Sequence, residues 1–170
     1  MKNLSDYVGK EFEIIGLNFF KFNYDLRVGE TTLLSLRSTD FWGKTFEVIG
    51  NDKTWLIIKP SIWSSNLEIK EKNTGVVAAR LTGSAFKNNS VLHLAKGEKL
   101  HITMNIWKST FEIKNEFGTT LVSFKTKKWY SSDVIATIQI KNDTIDKYPF
   151  SLMLAFYIAT EKKHHAGAVV

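Results

Sequence analysis

The fold is decided by a run of apolar residues near the end of the chain, Pro149-Phe-Ser-Leu-Met-Leu-Ala-Phe-Tyr-Ile-Ala159. Every residue from Leu152 to Ala159 is apolar, so a helix here has no polar face to turn to water and must be buried on all sides. Proline at its first position and cations in its last turn predict a helix over 149–165. The run is shorter than the roughly 20 apolar residues of a membrane span, so no transmembrane helix is expected. The side chains expected in the core are those of Phe150, Leu152, Leu154, Phe156 and Ile158.

The rest of the chain alternates apolar and polar residues with the period of β-strands. In Leu100-His-Ile-Thr-Met-Asn-Ile106, every second residue is apolar and the intervening ones are polar. Turn residues such as Asn73-Thr-Gly75 separate runs of this kind. Twelve strands are predicted, at Phe12–Ile15, Tyr24–Val28, Thr31–Leu36, Thr45–Ile49, Thr54–Lys59, Asn66–Lys70, Val76–Leu81, Val91–Ala95, Leu100–Ile106, Thr110–Lys114, Thr120–Phe124 and Val134–Ile140.

Regularly spaced strands of this kind indicate antiparallel hairpins in a sandwich or a barrel. A strand of seven residues is about 23 Å long, close to the length of the apolar helix, so the helix fits inside a closed barrel. We therefore predict an all-β domain over 1–170, a roughly 12-stranded antiparallel closed barrel around a C-terminal hydrophobic helix. The alternative is a sandwich or an open barrel with the helix at one end.

One hairpin pattern occurs twice. Asn66-Leu-Glu-Ile-Lys leads through a turn containing Gly75 to a second apolar strand, and Thr110-Phe-Glu-Ile-Lys leads through Gly118 to another. The two aligned segments differ by one residue before the glycine. Phe46-Glu-Val48 repeats the first half of the pattern, which is consistent either with internal duplication or with the general similarity of β-hairpins.

Composition limits the class of protein. The 170 residues include no cysteine and carry a net charge of +6, with a pI of about 9.4. The lack of cysteine excludes disulfides and thiolate chemistry, and no apolar segment follows Lys2 as in a signal peptide, so a cytoplasmic location is expected. A basic chain favours acidic partners, such as phosphate-bearing lipids or nucleic acid.

No sequence motif indicates an enzyme, a cofactor or a metal. His93 and His101 lie in alternating strands, and the adjacent His164 and His165 lack the spacing that a metal pair needs on one helical face. Phosphate-loop, dinucleotide and hydrolase motifs are missing. The glutamates at the centre of the repeated strand pattern are expected to face solvent; they are Glu47, Glu68 and Glu112.

A basic and aromatic segment is the strongest functional signal. Lys125, Lys127 and Lys128 stand beside Trp129 and Tyr130. Such a segment can bind phosphate head groups while its rings lie at a membrane interface, or it can bind single-stranded nucleic acid by stacking. It can equally be a hairpin turn with solvated lysines and packed rings. Two further tryptophans, Trp63 and Trp107, are also expected at strand ends or in loops.

The order of these elements resembles that of the tubby and phospholipid-scramblase superfamily, and most closely its LURP-one-related branch of small stand-alone domains. The resemblance rests on the hairpins Leu67-Glu-Ile69 to Gly75 and Phe111-Glu-Ile113 to Gly118, on Lys141-Asn-Asp-Thr-Ile-Asp146, and on the apolar helix from Phe150 onward. It implies twelve antiparallel strands closed around a hydrophobic C-terminal helix.

For activity the resemblance implies different things in different branches. Tubby domains bind phosphoinositides, scramblases are associated with calcium-dependent lipid movement, and many small members have no assigned role. Asp143 and Asp146 stand where scramblases have an acidic calcium-binding segment. They are weak candidates, because calcium takes six to eight oxygen ligands and the segment is also typical of a solvated turn. No residues here match the phosphoinositide site of tubby domains.

These observations favour a non-enzymatic domain without a cofactor. We expect it to bind anionic phospholipid or phosphoinositide peripherally through its basic segment, with nucleic acid a less favoured partner. The alternatives are a protein-interaction or structural module, a carrier of a small apolar ligand in the lipocalin manner, which would need an empty barrel, and insertion of the apolar run from Leu152 to Ala159 into a membrane.

Overall fold

The structure is a computed structural model that describes residues 3–17, 22–40, 44–60, 66–82, 88–105, 107–127 and 133–167, the last five by their backbone only. A 3₁₀ helix at Leu4–Tyr7 precedes the strands, and two α-helices follow them, α1 at Asp143–Lys147 and α2 at Phe150–Gly167. The strands are β1 (Glu11–Gly16), β2 (Asn23–Val28), β3 (Thr31–Ser38), β4 (Thr45–Ile49), β5 (Thr54–Ile58), β6 (Leu67–Glu71), β7 (Val77–Thr82), β8 (Asn89–Leu94), β9 (Lys99–Asn105), β10 (Thr110–Asn115), β11 (Thr120–Thr126) and β12 (Val134–Ile138).

The twelve strands form one closed antiparallel barrel, which confirms the predicted fold. Each strand pairs with the next in sequence, and β1 pairs with β12 to close the ring, with Phe12 opposite Ala136. Each predicted strand coincides with an observed one to within two residues at both ends, because alternating burial is a local property of the sequence. Closure gives each of the twelve described strands a hydrogen-bonded neighbour on both sides.

Helix α2 occupies the interior of the barrel. The ring of Phe150 lies 5.4 Å from that of Trp55 on β5, and the ring of Phe156 lies 4.7 Å from that of Tyr24 on β2. The helix also contacts β3 and β10, which are nearly opposite each other around the ring. All the side chains predicted for the core are buried, as is every other residue of 150–159. The helix begins one residue later than predicted, directly after Pro149.

The two repeated hairpins share an irregularity as well as a sequence pattern. The register of β6 and β7 shifts between Ile69 and Lys70, and that of β10 and β11 shifts between Ile113 and Lys114. These are equivalent positions in the aligned segments. The turns that follow contain Gly75 and Gly118, whose φ angles of 69° and 82° favour glycine. The two repeats therefore form hairpins of the same bulged type, although their aligned sequences differ in length by one residue.

The segment before α2 differs from the expected solvated turn. Asn142 caps α1, because its side chain accepts a hydrogen bond from the Thr144 amide at 2.9 Å. Asp146 accepts one hydrogen bond from the Ser5 amide at 2.9 Å and a second from the Ser5 hydroxyl. Helix α1 is thus fastened to the 3₁₀ helix at the start of the chain. Five residues are too few to show a helical period, so the sequence analysis missed it.

Candidate functional site

The two ends of the barrel have different connections. We call the end with the β2–β3, β4–β5, β6–β7, β8–β9 and β10–β11 connections the hairpin end; its turns have two to five residues. The β1–β2, β3–β4, β5–β6, β7–β8, β9–β10 and β11–β12 connections, of four to eight residues, leave the opposite end, which we call the loop end. Helix α2 runs from the hairpin end to the loop end, since Phe150 contacts Trp55 at the start of β5 and Lys59 after β5 pairs with Glu161 at 3.5 Å.

The sequences of the connections divide sharply between the two ends. Every connection of the loop end contains at least one aromatic residue and at least one lysine, whereas Phe117 is the one aromatic residue in the hairpin-end turns. The loop-end connections contain seven lysines and two aspartates; the hairpin-end turns contain three lysines and four acidic residues. The loop-end lysines are Lys21, Lys44, Lys59, Lys87, Lys108, Lys127 and Lys128. Positive charge and rings are therefore concentrated where the barrel has its long connections.

Trp107 is the clearest described feature of the loop end. It is 99% exposed, the most exposed of the large hydrophobic residues that the structure describes. Its turn is held in place, because Asn105 Oδ1 accepts from the Lys108 amide at 3.1 Å and the Ser109 carbonyl accepts from the amide and hydroxyl of Thr126, both at 3.3 Å. Residues 107–109 are thus tied to β9 and β11, and the indole ring of Trp107 is fully exposed next to the exposed Lys108.

Two of the five predicted binding residues, Lys125 and Lys127, are described. Lys125 is exposed on the outer face of β11. Lys127 Nζ lies 2.6 Å from Glu13 Oε1, and this hydrogen bond raises the pKa of Lys127, with smaller contributions from Asp133 and Glu11. Its charge is therefore partly neutralised by the barrel. The remaining three, Lys128, Trp129 and Tyr130, lie outside the described residues, as does Trp63.

Lys125 and Lys127 also line a groove of about 530 Å³ on the outer wall, across β10, β11, β12 and β1. Glu11 and Glu112 line the same groove, together with the hydroxyl groups of threonines and a serine. Because lysines and carboxylates balance, the groove itself offers little net attraction for an anion. The excess of lysines over acidic residues is found instead in the sequences of the loop-end connections.

The wall near the loop end contains a buried ionic network. Asp25 is 4% exposed and accepts hydrogen bonds from Arg27 at 2.8 Å, Arg37 at 2.5 Å and Ser35 at 2.7 Å. Burial alone raises the pKa of Asp25, but the hydrogen bonds from Arg27, Arg37 and Ser35 outweigh it and hold the pKa below its usual value. The network joins β2 to β3.

The other polar candidates also have structural partners. The three glutamates predicted to face solvent form ion pairs on the outer wall: Glu47 with Lys72, Glu68 with Lys70 and Arg80, and Glu112 with Lys114. The ring of His93 is hydrogen-bonded to Thr82 through Nε2 at 2.9 Å. The side chains of His164 and His165 are not among those described.

Neither of the two weak calcium candidates lies in a cluster of ligands. Asp143 is exposed in the first turn of α1, and both carboxylate oxygens of Asp146 are bonded to Ser5. Within the described ranges, no group of three histidine or acidic side chains is arranged to hold a metal ion. Helix α2 fills the lumen that a lipocalin-like carrier would need to be empty.

Compared with protein families, with curated proteins and with solved structures, the chain gives no match. In the described part of the chain, no helix is both long and apolar enough to cross a membrane. The sequence analysis placed segment 125–130, Trp63 and Trp107 at strand ends or in loops, but it did not assign the connections to one end of the barrel and so missed the concentration of lysines and rings there. Once the strands are counted, alternate connections must fall at the same end of an up-and-down barrel, so this signal was present in the sequence.

Proposed function

We propose that this chain is a non-enzymatic, tubby-like domain of the cytoplasm that binds peripherally to anionic phospholipid surfaces through the loop end of its barrel. The observation that supports this most is the division between the two ends. Rings and lysines together suit a bilayer interface, where indole groups lie at the head-group level and ammonium groups meet phosphate. In sequence, the predicted segment Lys125 to Tyr130 covers the last residues of β11 and the start of the connection between β11 and β12, so the proposal includes it.

The described residues suggest how such binding would work. Trp107 on its fixed turn supplies a rigid anchor that loses little conformational entropy on insertion. Lys108, the next residue in the chain, and Lys125, opposite Thr110 on β11, are both exposed and supply positive charge. Because Lys127 is already paired with Glu13, we assign it a smaller part. Phosphoinositide head groups carry more charge than phosphatidylserine, so the same lysines would bind them more tightly.

Vesicle co-sedimentation tests this with charge-matched variants. Lys108→Gln combined with Lys125→Gln removes an exposed lysine of a loop-end connection and one on β11 next to that end. Lys96→Gln combined with Lys99→Gln removes an exposed lysine of a hairpin-end turn and one at the adjoining start of β9. At about 1 kcal/mol per lysine, the first pair should weaken binding to phosphatidylserine vesicles by roughly 30-fold, and the control pair should change it little. Higher salt should weaken binding of the native chain, because exposed charges are screened.

A second comparison tests the aromatic anchor. Trp107→Ala should reduce sedimentation with the same vesicles. Phe117→Ala, which removes a highly exposed ring at the hairpin end, should not; Phe117 is 85% exposed. Phosphatidylcholine vesicles and vesicles containing a phosphoinositide separate general adhesion from head-group preference. If the folded native chain does not sediment with any anionic vesicle at low salt, or if both charge pairs act alike, the proposal is wrong.

A further inference from the structure

Helix α2 leaves the barrel at the loop end. Glu161 on the helix pairs with Lys59, the first residue after β5, at 3.5 Å, so α2 reaches this end of the wall near residue 161. The backbone continues as a helix to Gly167. At 1.5 Å per residue, residues 162–167 carry the helix about 9 Å further. The last turns of α2 therefore lie at the same end of the barrel as the lysine-rich connections.

These last turns add further basic residues to the loop end. The residues that follow Glu161 are Lys162, Lys163, His164 and His165. Glu161 is the one acidic residue in the sequence of α2, and it is paired with Lys59. The loop-end connections contain two aspartates, Asp40 and Asp133, against seven lysines. The end of α2 thus extends an excess of positive charge that the connections already have in their sequences.

Two adjacent histidines at this place make the charge of the loop end depend on pH. A histidine titrates near pH 6.5, so it is mostly neutral at about pH 7.5 and mostly cationic at about pH 5.5, whereas an exposed lysine stays charged over this range. The C-terminal end of a helix favours the cationic form, and the neighbouring Lys162 and Lys163 oppose it. A nearby anionic bilayer favours the cationic form and so offsets the effect of the lysines.

Building on the proposed function of the loop end, we propose that the last turns of α2 belong to the membrane-binding surface, and that His164 and His165 strengthen its binding to anionic phospholipid in acid. Each positive charge near an anionic surface strengthens binding by roughly fivefold. Two histidines that become mostly protonated between about pH 7.5 and about pH 5.5 should therefore strengthen binding by roughly tenfold. The lysines supply the binding that remains at the higher pH.

The other two histidines of the chain provide a matched control. His93 lies near the end of β8 and is paired with Lys99 at the start of β9, and His101 follows two residues later. Both are half-buried on the outer wall near the hairpin end. His93→Gln combined with His101→Gln therefore removes two histidines far from the loop end, and His164→Gln combined with His165→Gln removes the two at the loop end.

The test is co-sedimentation at about pH 7.5 and about pH 5.5 with vesicles containing phosphatidylglycerol, whose phosphodiester stays ionised over this range. The native chain should bind roughly tenfold more tightly at the lower pH. The loop-end glutamine variant should bind like the native chain at the higher pH and lose most of the increase. The hairpin-end glutamine variant should keep the increase. Residues 164 and 165 follow the buried stretch 150–159, so these substitutions leave the barrel interior unchanged.

A variant with permanent charge gives the second measurement. His164→Lys combined with His165→Lys should bind at about pH 7.5 as tightly as the native chain does at about pH 5.5, with little dependence on pH. A native affinity that does not change with pH, or an increase that the loop-end glutamine variant keeps in full, overturns the inference and leaves the proposed function standing. Loss of the increase in the hairpin-end variant also overturns it. If the native chain binds at neither pH, both the inference and the proposed function are wrong.

Discussion

The hairpin end and the loop end belong to the same twelve strands but are held together in different ways. At the hairpin end, turns of two to five residues connect neighbouring strands, and left-handed glycines such as Gly75 and Gly118 set the register locally. At the loop end the connections are longer, and register is supported by side chains far apart in sequence, such as Glu13 with Lys127. The comparison suggests that local turns stabilise the barrel at one end and leave the connections at the other end available for binding.

Helix α2 links both ends, so a defect in its middle should have the largest effect. Ala155→Asp places a carboxylate at a fully buried position among apolar side chains and should lower the free energy of unfolding by several kcal/mol. Ala95→Asp makes the same change in an exposed turn of the hairpin end and should cost less than about 1 kcal/mol. Thermal or urea unfolding of both variants compares them directly. Similar shifts would mean that position 155 contacts water, contrary to the filled barrel.

The second prediction concerns the ionic network near the loop end. Asp25→Asn leaves Arg27 and Arg37 without their shared carboxylate, and because both arginines are partly exposed, the expected loss is about 2 kcal/mol. Ser123, whose hydroxyl accepts a bond from Gln139 on the outer wall, gives a control, and Ser123→Ala should cost about 1 kcal/mol or less.

The same network makes the stability of the fold depend on pH. The pKa of Asp25 is lower in the folded chain than its ordinary value of 3.8, so the ionised carboxylate stabilises the fold above that pH, and this contribution is lost as the pH falls below it. Hydrogen exchange at pH 3 should therefore show earlier opening of the β2 and β3 amides at the loop end, near Tyr24 and Arg37, than at the hairpin end. Uniform opening, or acid stability unchanged by Asp25→Asn, would contradict the proposed difference between the ends.

The sequence predicted what depends on local periodicity and missed what depends on distant contacts. The twelve strands and α2 follow from patterns within five to eighteen residues, so they could be found without a structure. The burial of Asp25 could not be predicted from the sequence, because its position in the alternation of β2 suggests an exposed side chain. Only the pairing of β2 with β3 brings Arg37 over it. The pair between Glu13 and Lys127 depends in the same way on closure of β1 against β12 and the neighbouring β11.

The smallest predicted effect compares two residues with positive φ, one at each end. Gly118 has a φ of 82° in a hairpin-end turn with no atoms near its missing Cβ, so Gly118→Ala should cost about 1 kcal/mol through backbone strain alone. Ser109 has a φ of 51° in the turn that presents Trp107, and among described residues it is the only one other than glycine with positive φ. Ser109→Gly should relieve strain and raise the free energy of unfolding by up to about 1 kcal/mol, partly offset by the entropy of glycine in the unfolded chain.

Gly118→Ala and Ser109→Gly are expected to change the free energy of unfolding in opposite directions. The hairpin-end turn already has the residue that its geometry favours, whereas the loop-end turn does not. Chemical denaturation measures both, and vesicle binding of the Ser109→Gly chain shows whether the strained turn contributes to function. If the strain serves to hold Trp107 outward, the glycine variant should be more stable and bind vesicles less tightly. If Ser109→Gly destabilises the chain as much as Gly118→Ala does, Ser109 is not strained, and the two ends do not differ in the way that their turns suggest.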